Sequence, residues 1–149
     1  MKDAYLLNQI VRSLLAGQLK AAADPHRPRW HLAAPVGLLN DPNGFIEHDG
    51  RYHLFYQWNP LGCEHSNKGW GHVTSTDLLH WQHEPVALLP TEAYESHGCY
   101  SGSAVSDEQG RLTLVYTGNV KYPDGSRTAF QCLARDDGRG GFAKLGPVL

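Results

Sequence analysis

Leu6, Leu7, Ile10, Val11, Leu14 and Leu15 recur at spacings of three and four, with Asn8, Gln9, Arg12 and Ser13 between them. That rhythm places the apolar side chains on one stripe, so a short helix is predicted over residues 1–20. A lysine near the start gives the segment a passing likeness to an export signal. The interleaved polar residues break the continuous apolar run such a signal needs. No stretch of the chain has the length of apolar sequence that crosses a bilayer.

After a linker at 21–29, short apolar runs alternate with turn residues, which is how strands joined by hairpins read. The helix is therefore expected to be an appendage to an all-β body. Phe45–His48 and Arg51–Trp58 flank Asp49-Gly50, a dipeptide suited to a tight turn with positive φ, and Asp41-Pro-Asn-Gly44 is expected just before this first strand. A second hairpin, Ser103–Ser106 and Arg111–Thr117, is joined through Asp107-Glu-Gln-Gly110. The two echo each other: Gly50-Arg-Tyr-His-Leu-Phe-Tyr56 matches Gly110-Arg-Leu-Thr-Leu-Val-Tyr116. Downstream, Asp77, Trp81 and Pro85-Val86 match Asp136 or Asp137, Phe142 and Pro147-Val148. The repeat period is about 60 residues. A unit of about four strands cannot bury both faces alone, and radial repetition covers them. Residues 30–149 are thus expected to form the first two blades of a truncated β-propeller. A β-sandwich with two similar hairpins is the alternative.

Composition supports a β-rich globular body: 41% hydrophobic and 19% charged residues, with 16 Gly and 9 Pro for turns. The formal net charge of -2, with Lys and Arg scattered singly, leaves no positive stripe for nucleic acid. Cys63, Cys99 and Cys132 are odd in number and not closely paired, which suits free thiols in a reducing, cytoplasmic setting. His65, His72, His80, His83 and His97 lack the spacing of a helical zinc motif, so no metal or cofactor is expected. Ser101 lacks the preceding glycine of a nucleophile elbow.

Asn40-Asp41-Pro42-Asn43-Gly44 sets a carboxylate between amides beside a rigid proline. Pro42 biases Asp41 towards an extended backbone, a fixed way to present an acid. The same five residues also make a good structural turn. Trp30, His31, Tyr52, Phe55, Tyr56, Gln57 and Trp58 place aromatic rings nearby in sequence. Sugars suit such rings, and Asn40, Gln57, Asn59 and Ser101 could partner their hydroxyls. Tyr52, Leu54 and Tyr56 are read as core.

These motifs resemble glycoside hydrolase family 32, the β-fructofuranosidases. The resemblance rests on His31–Pro35, Gly37–Gly44, Tyr52–Pro60, Trp70-Gly-His72, Leu79-His-Trp81 and Gly98–Ser103, in the family's order. It covers nearly everything from Trp30 onward and implies a five-bladed β-propeller followed by a β-sandwich. It also implies that Asp41 is the catalytic nucleophile. Asn40 and Gln57 would grip the fructosyl unit, Tyr100 and Ser101 would contact substrate, and Trp70 would stand in the pocket wall. Leu38-Leu39 replaces the Trp-Met of many members and is similar to the form of the bacterial sucrose-6-phosphate hydrolases. That form implies sucrose 6-phosphate, or sucrose, as the partner.

The family's transition-state stabiliser and general acid would lie beyond Leu149, and this stretch alone is expected to be nearly inert. Glu92, Glu95 and Asp124 are read as solvated surface charges. In retaining glycosidases the two carboxyl groups stand about 5–5.5 Å apart, one attacking the anomeric carbon and one protonating the leaving oxygen. A non-catalytic sugar-binding propeller and a fructosyltransferase are the competing expectations.

Overall fold

The computed structural model describes residues 2–28 and 30–149, with side chains from Ala4 onward except that of Arg29. Met1 and Arg29, which fall in the predicted helix and linker, lie outside the described residues. The order is a helix α1 (Lys2–Ala22), then β1 (Leu38–His48), β2 (Arg51–Asn59), β3 (Gly69–Ser75) and β4 (Gln82–His83). A one-turn 3-10 helix at Ala93–Glu95 follows, then β5 (Cys99–Ser106), β6 (Leu112–Lys121), β7 (Arg127–Asp136) and β8 (Phe142–Pro147).

The strands form two four-stranded antiparallel meanders, β1-β2-β3-β4 and β5-β6-β7-β8, each a propeller blade. Each sheet is one continuous meander, as expected of a radially repeated unit. The predicted tight turn is present, with Asp49 and Gly50 at φ 50 and 75. The echo between units is structural as well. Asp77 Oδ1 accepts the amides of Leu79 and His80, and Asp137 Oδ1 accepts those of Arg139 and Gly141.

Two apolar cores follow from strand alternation. Phe55 and Trp70 face the second blade and meet Leu112, Leu114, Tyr116, Cys132 and Ala134 there. Tyr56, Trp58 and Val73 face the other way and are covered by Ile10 and Leu14 of α1. The helix is therefore not an appendage. Ile10 is buried, and Ser13 Oγ donates to the Pro60 carbonyl at 2.7 Å. The apolar stripe is wider than one docking face, so Leu7, Val11 and Leu15 stay exposed. Of the three residues read as core, Tyr56 is buried and Leu54 packs against it, while Tyr52 is half-buried and stacks on Phe45.

Candidate functional site

Asp41-Pro-Asn-Gly44 does not precede the first strand, as expected, but lies within it. Leu39 pairs with Trp58 and Pro42 with Tyr56, so Asn40 and Asp41 together oppose Gln57. This is a β-bulge, which turns a side chain out of its regular alternation. Proline is tolerated because β1 is an edge strand of its sheet. The second blade repeats the device. Tyr100 pairs with Thr117 and Gly102 with Tyr116, leaving Ser101 as the extra residue.

The inner strands β1 and β5 face each other at these bulges. Ser101 Oγ donates to Asp41 Oδ2 at 2.7 Å, and the Gly102 amide donates to Asn43 Oδ1 at 3.3 Å. Asn43 is 4% exposed, and its Nδ2 has no partner among the described residues. Gly44, at φ 52, lets the strands approach, since a Cβ there would stand 3.1 Å from Ala104. Asp41 itself is exposed, with one carboxylate oxygen engaged by Ser101 and no hydrogen bond to Oδ1 among the described residues.

The other predicted residues divide into rim and support. Leu38, Leu39 and Asn40 are half-buried, and Leu39 packs against Tyr56 and Trp58. Tyr100 is half-buried too, and the Lys68 ammonium sits 5.3 Å from its ring centroid. Lys68 also donates to Gln57 Oε1 at 3.1 Å. Gln57 is 2% exposed, so in this chain its amide is held by lysine rather than open to a ligand.

Trp70 is fully buried and is no wall residue here. Its indole donates to the Tyr100 carbonyl at 3.2 Å and so fixes the strand that carries Ser101. Asn59, read as a hydroxyl partner, instead closes a loop: its Nδ2 donates to the Glu64 carbonyl, and its Oδ1 accepts the Leu61 amide. Trp30 and His31 do not join this neighbourhood. They line a separate groove with Leu79, His80 and Trp81.

Glu95 corrects a second expectation. Far from being solvated, it is 0% exposed. Oε1 takes Lys144 Nζ and the amides of Thr91 and Glu92, while Oε2 accepts the Tyr116 hydroxyl at 2.6 Å. Burial, reinforced by this carboxylate, raises the Tyr116 phenol far above its ordinary value. Glu92 and Asp124 are exposed, as expected. All three cysteines are free. Among the described residues no three His, Cys, Asp or Glu side chains gather into a metal-binding group, and no helix is long and apolar enough to cross a membrane.

Lys68, Asn43 and the buried Glu95 escaped sequence reasoning because each acts through a partner distant in the chain. The pairing of Asp41 with Ser101 did leave a signal: their offset of 60 positions equals the repeat period.

Comparison with known proteins identifies the family and the fold. Residues 31–149 match the model of the glycosyl hydrolases family 32 N-terminal domain. The chain is 64% identical over 143 residues to the sucrose-6-phosphate hydrolase of Klebsiella pneumoniae, covering 96% of this chain and 30% of that protein. The corresponding figures for the Bacillus subtilis (strain 168) sucrose-6-phosphate hydrolase are 50% over 128 residues, 86% and 26%. Among solved structures, a sucrose-6-phosphate hydrolase from Lactobacillus gasseri superposes with a TM-score of 0.82 at 40% identity, over 90% of this chain and 27% of that one. A variant of a Bombyx mori β-fructofuranosidase, solved in complex with sucrose, superposes with a TM-score of 0.79 at 35% identity, over 92% and 28%. The chain thus spans about 30% of the length of such curated relatives. With two meandering blades, paired bulges and a family match over residues 31–149, it belongs to glycosyl hydrolase family 32 and carries sequence of that family's N-terminal domain.

Proposed function

We propose that this chain supplies the nucleophile side of a β-fructofuranosidase site that cleaves the terminal fructofuranoside bond of sucrose 6-phosphate. The observation that carries the reading is the exposed Asp41 carboxylate, aimed by a bulge and clamped through Oδ2 by Ser101 of the neighbouring blade. A nucleophile needs one lone pair free and a fixed bearing. Ser101 holds Oδ2, and Oδ1 remains for attack on the anomeric carbon.

In this reading the first displacement forms a fructosyl ester at Asp41, and water resolves it with net retention. The leaving oxygen takes a proton from an acid supplied by another part of the full-length enzyme, so residues 1–149 alone turn over almost nothing. Asn40 on the rim offers an amide to sugar hydroxyls. Lys68 keeps Gln57 and Tyr100 in register beneath it. The phosphorylated substrate is favoured by the relatives named for it and by Leu38-Leu39. The proposed organisation is a helix at 1–20, a linker at 21–29 and two blades at 30–149, within a cytoplasmic enzyme.

The test is Asp41→Asn in the full-length enzyme, with sucrose 6-phosphate and sucrose as substrates. Turnover falls by several orders of magnitude while the fold is kept, and a mechanism-based fructosyl trap labels Asp41 in the native enzyme only. Turnover at the native rate in the variant would falsify the assignment.

A further inference from the structure

The N-terminal approach to β1 and the turn between β3 and β4 enclose an open groove of about 590 Å³, lined by Arg27, Pro28, Trp30–Ala33, Leu79–Trp81 and His83. It lies on the outer edge of the first blade. Asp41 is on β1, the innermost strand, and β4 is three strand spacings away, or roughly 14 Å at the usual inter-strand distance. The groove is therefore distinct from the Asp41 site.

Its chemistry is one-sided. Among the described residues every ionisable side chain in its lining is a potential cation, namely Arg27, His31, His80 and His83, although the chain as a whole has a formal net charge of -2. Several of these groups are pre-set. Arg27 Nη2 donates to the carbonyls of Ala34 and Ala33 at 3.0 and 3.3 Å, which fixes the guanidinium at the groove wall. Asp77 Oδ2 contacts His80 Nδ1 at 2.7 Å and leaves the Nε2 edge outward. Arg27 also acts on His83, whose imidazole is lowered by burial and then by that neighbouring guanidinium.

The apolar lining is equally specific. Trp81 and Leu32 pack against the core and give a firm floor. Trp30 is 91% exposed and Leu79 77% exposed. Within residues 1–149 the Trp30 indole face is open along the groove and can take a stacked ring. Carbohydrate C–H faces stack on indole, and imidazole and guanidinium donors bind phosphate oxygens.

We infer that this groove is a second ligand site for a phosphorylated hexose, with the sugar ring on Trp30 and the phosphate between Arg27 and His80. The inference does not depend on the role given to Asp41.

The test is titration of the full-length protein with glucose 6-phosphate, a probe with no fructosyl bond to cleave. Calorimetry is run on the wild type, Trp30→Ala, His80→Gln and Asp41→Asn, with glucose and inorganic phosphate as comparison probes. Affinity for glucose 6-phosphate is expected to fall at least tenfold in both groove variants and to persist in Asp41→Asn. Circular dichroism and hydrolysis by Trp30→Ala should stay within twofold of wild type, which shows that the fold is intact. The inference is overturned if the groove variants bind as wild type, if Asp41→Asn alone loses binding, or if the wild type binds nothing at millimolar probe. Equal binding of free glucose removes the anion requirement, and equal binding of inorganic phosphate removes the stacked sugar; either result also overturns it.

Discussion

Ser101 donates a 2.7 Å hydrogen bond to Asp41 across the junction of two blades, and the two residues stand 60 positions apart. Each is the extra residue of a bulge on the innermost strand of its blade. The repeat therefore sets a specific contact between side chains as well as the architecture. The same backbone irregularity, used twice, turns a carboxylate out of one blade and a hydroxyl out of the next so that they meet.

A charge-assisted hydrogen bond of this kind contributes about 1.5–3 kcal/mol. Ser101→Ala in the full-length enzyme should lower kcat by roughly 10- to 100-fold, with a smaller change in KM. Steady-state kinetics on the proposed substrate provides the check. An unaltered kcat would mean that the serine does not orient the carboxylate.

Trp70 supports that geometry from beneath. Trp70→Ala empties the core between the blades and should destabilise the chain by about 3–5 kcal/mol, seen in urea unfolding. Trp70→Phe keeps most of the bulk but removes the donor to the Tyr100 carbonyl. Its cost should be nearer 1–2 kcal/mol, the penalty of leaving a buried carbonyl unpaired.

Glu95 and Lys144 form a buried pair, with side chains 0% and 17% exposed, that ties the 3-10 turn to β8. Lys144→Met leaves a carboxylate buried beside Tyr116 without its cation and should cost about 3–5 kcal/mol. Glu95→Leu with Lys144→Met together should cost clearly less than the two single changes added. Additive losses in a double-mutant cycle would show that the pair is not coupled.

His72 predicts a pH response. Burial is the main cause that lowers its imidazole to about 3 from the usual 6.5, followed by the neighbouring His53 and Arg51. His72 Nε2 lies 3.0 Å from His53 Nδ1, and the ring stacks on Phe55. Between those two pH values the folded chain binds fewer protons at this site than the unfolded chain. The contribution is intact above pH 6.5 and is lost progressively as pH falls towards 3. The loss from this site is about 2 kcal/mol between pH 7 and pH 5. Urea midpoints should fall more steeply over that range in the native chain than in His72→Phe; parallel slopes would remove the assignment.

The hairpins were legible because tight turns and alternating apolar residues are local: Asp49-Gly50 and the repeated Gly-Arg motif place β2, β5 and β6 within a few residues, whereas β1 begins at Leu38, seven residues before the expected Phe45, because the bulged Asn40–Gly44 motif reads as a turn. The motif around Asp41 stood out in the sequence, but its position inside β1 at a bulge did not. Glu95 was misread because its sequence neighbours, Tyr94 and Ser96, say nothing of Tyr116 and Lys144, which neutralise its burial cost from 21 and 49 positions away. Trp70 was misread for the same reason, since its burial depends on a second blade.

The sequence by itself determined the strand periodicity, the 60-residue repeat and the dense Asn40–Gly44 motif, because each is written in spacings shorter than a hairpin or in a direct echo. Only the tertiary structure decided which side chain meets which: that Ser101 grips Asp41, that α1 covers the first blade, and that Trp30 opens onto a different groove. Pairings of that kind are set by how two preformed sheets pack and by which polar groups must find partners once water is excluded, and neither is a property of any single stretch of chain.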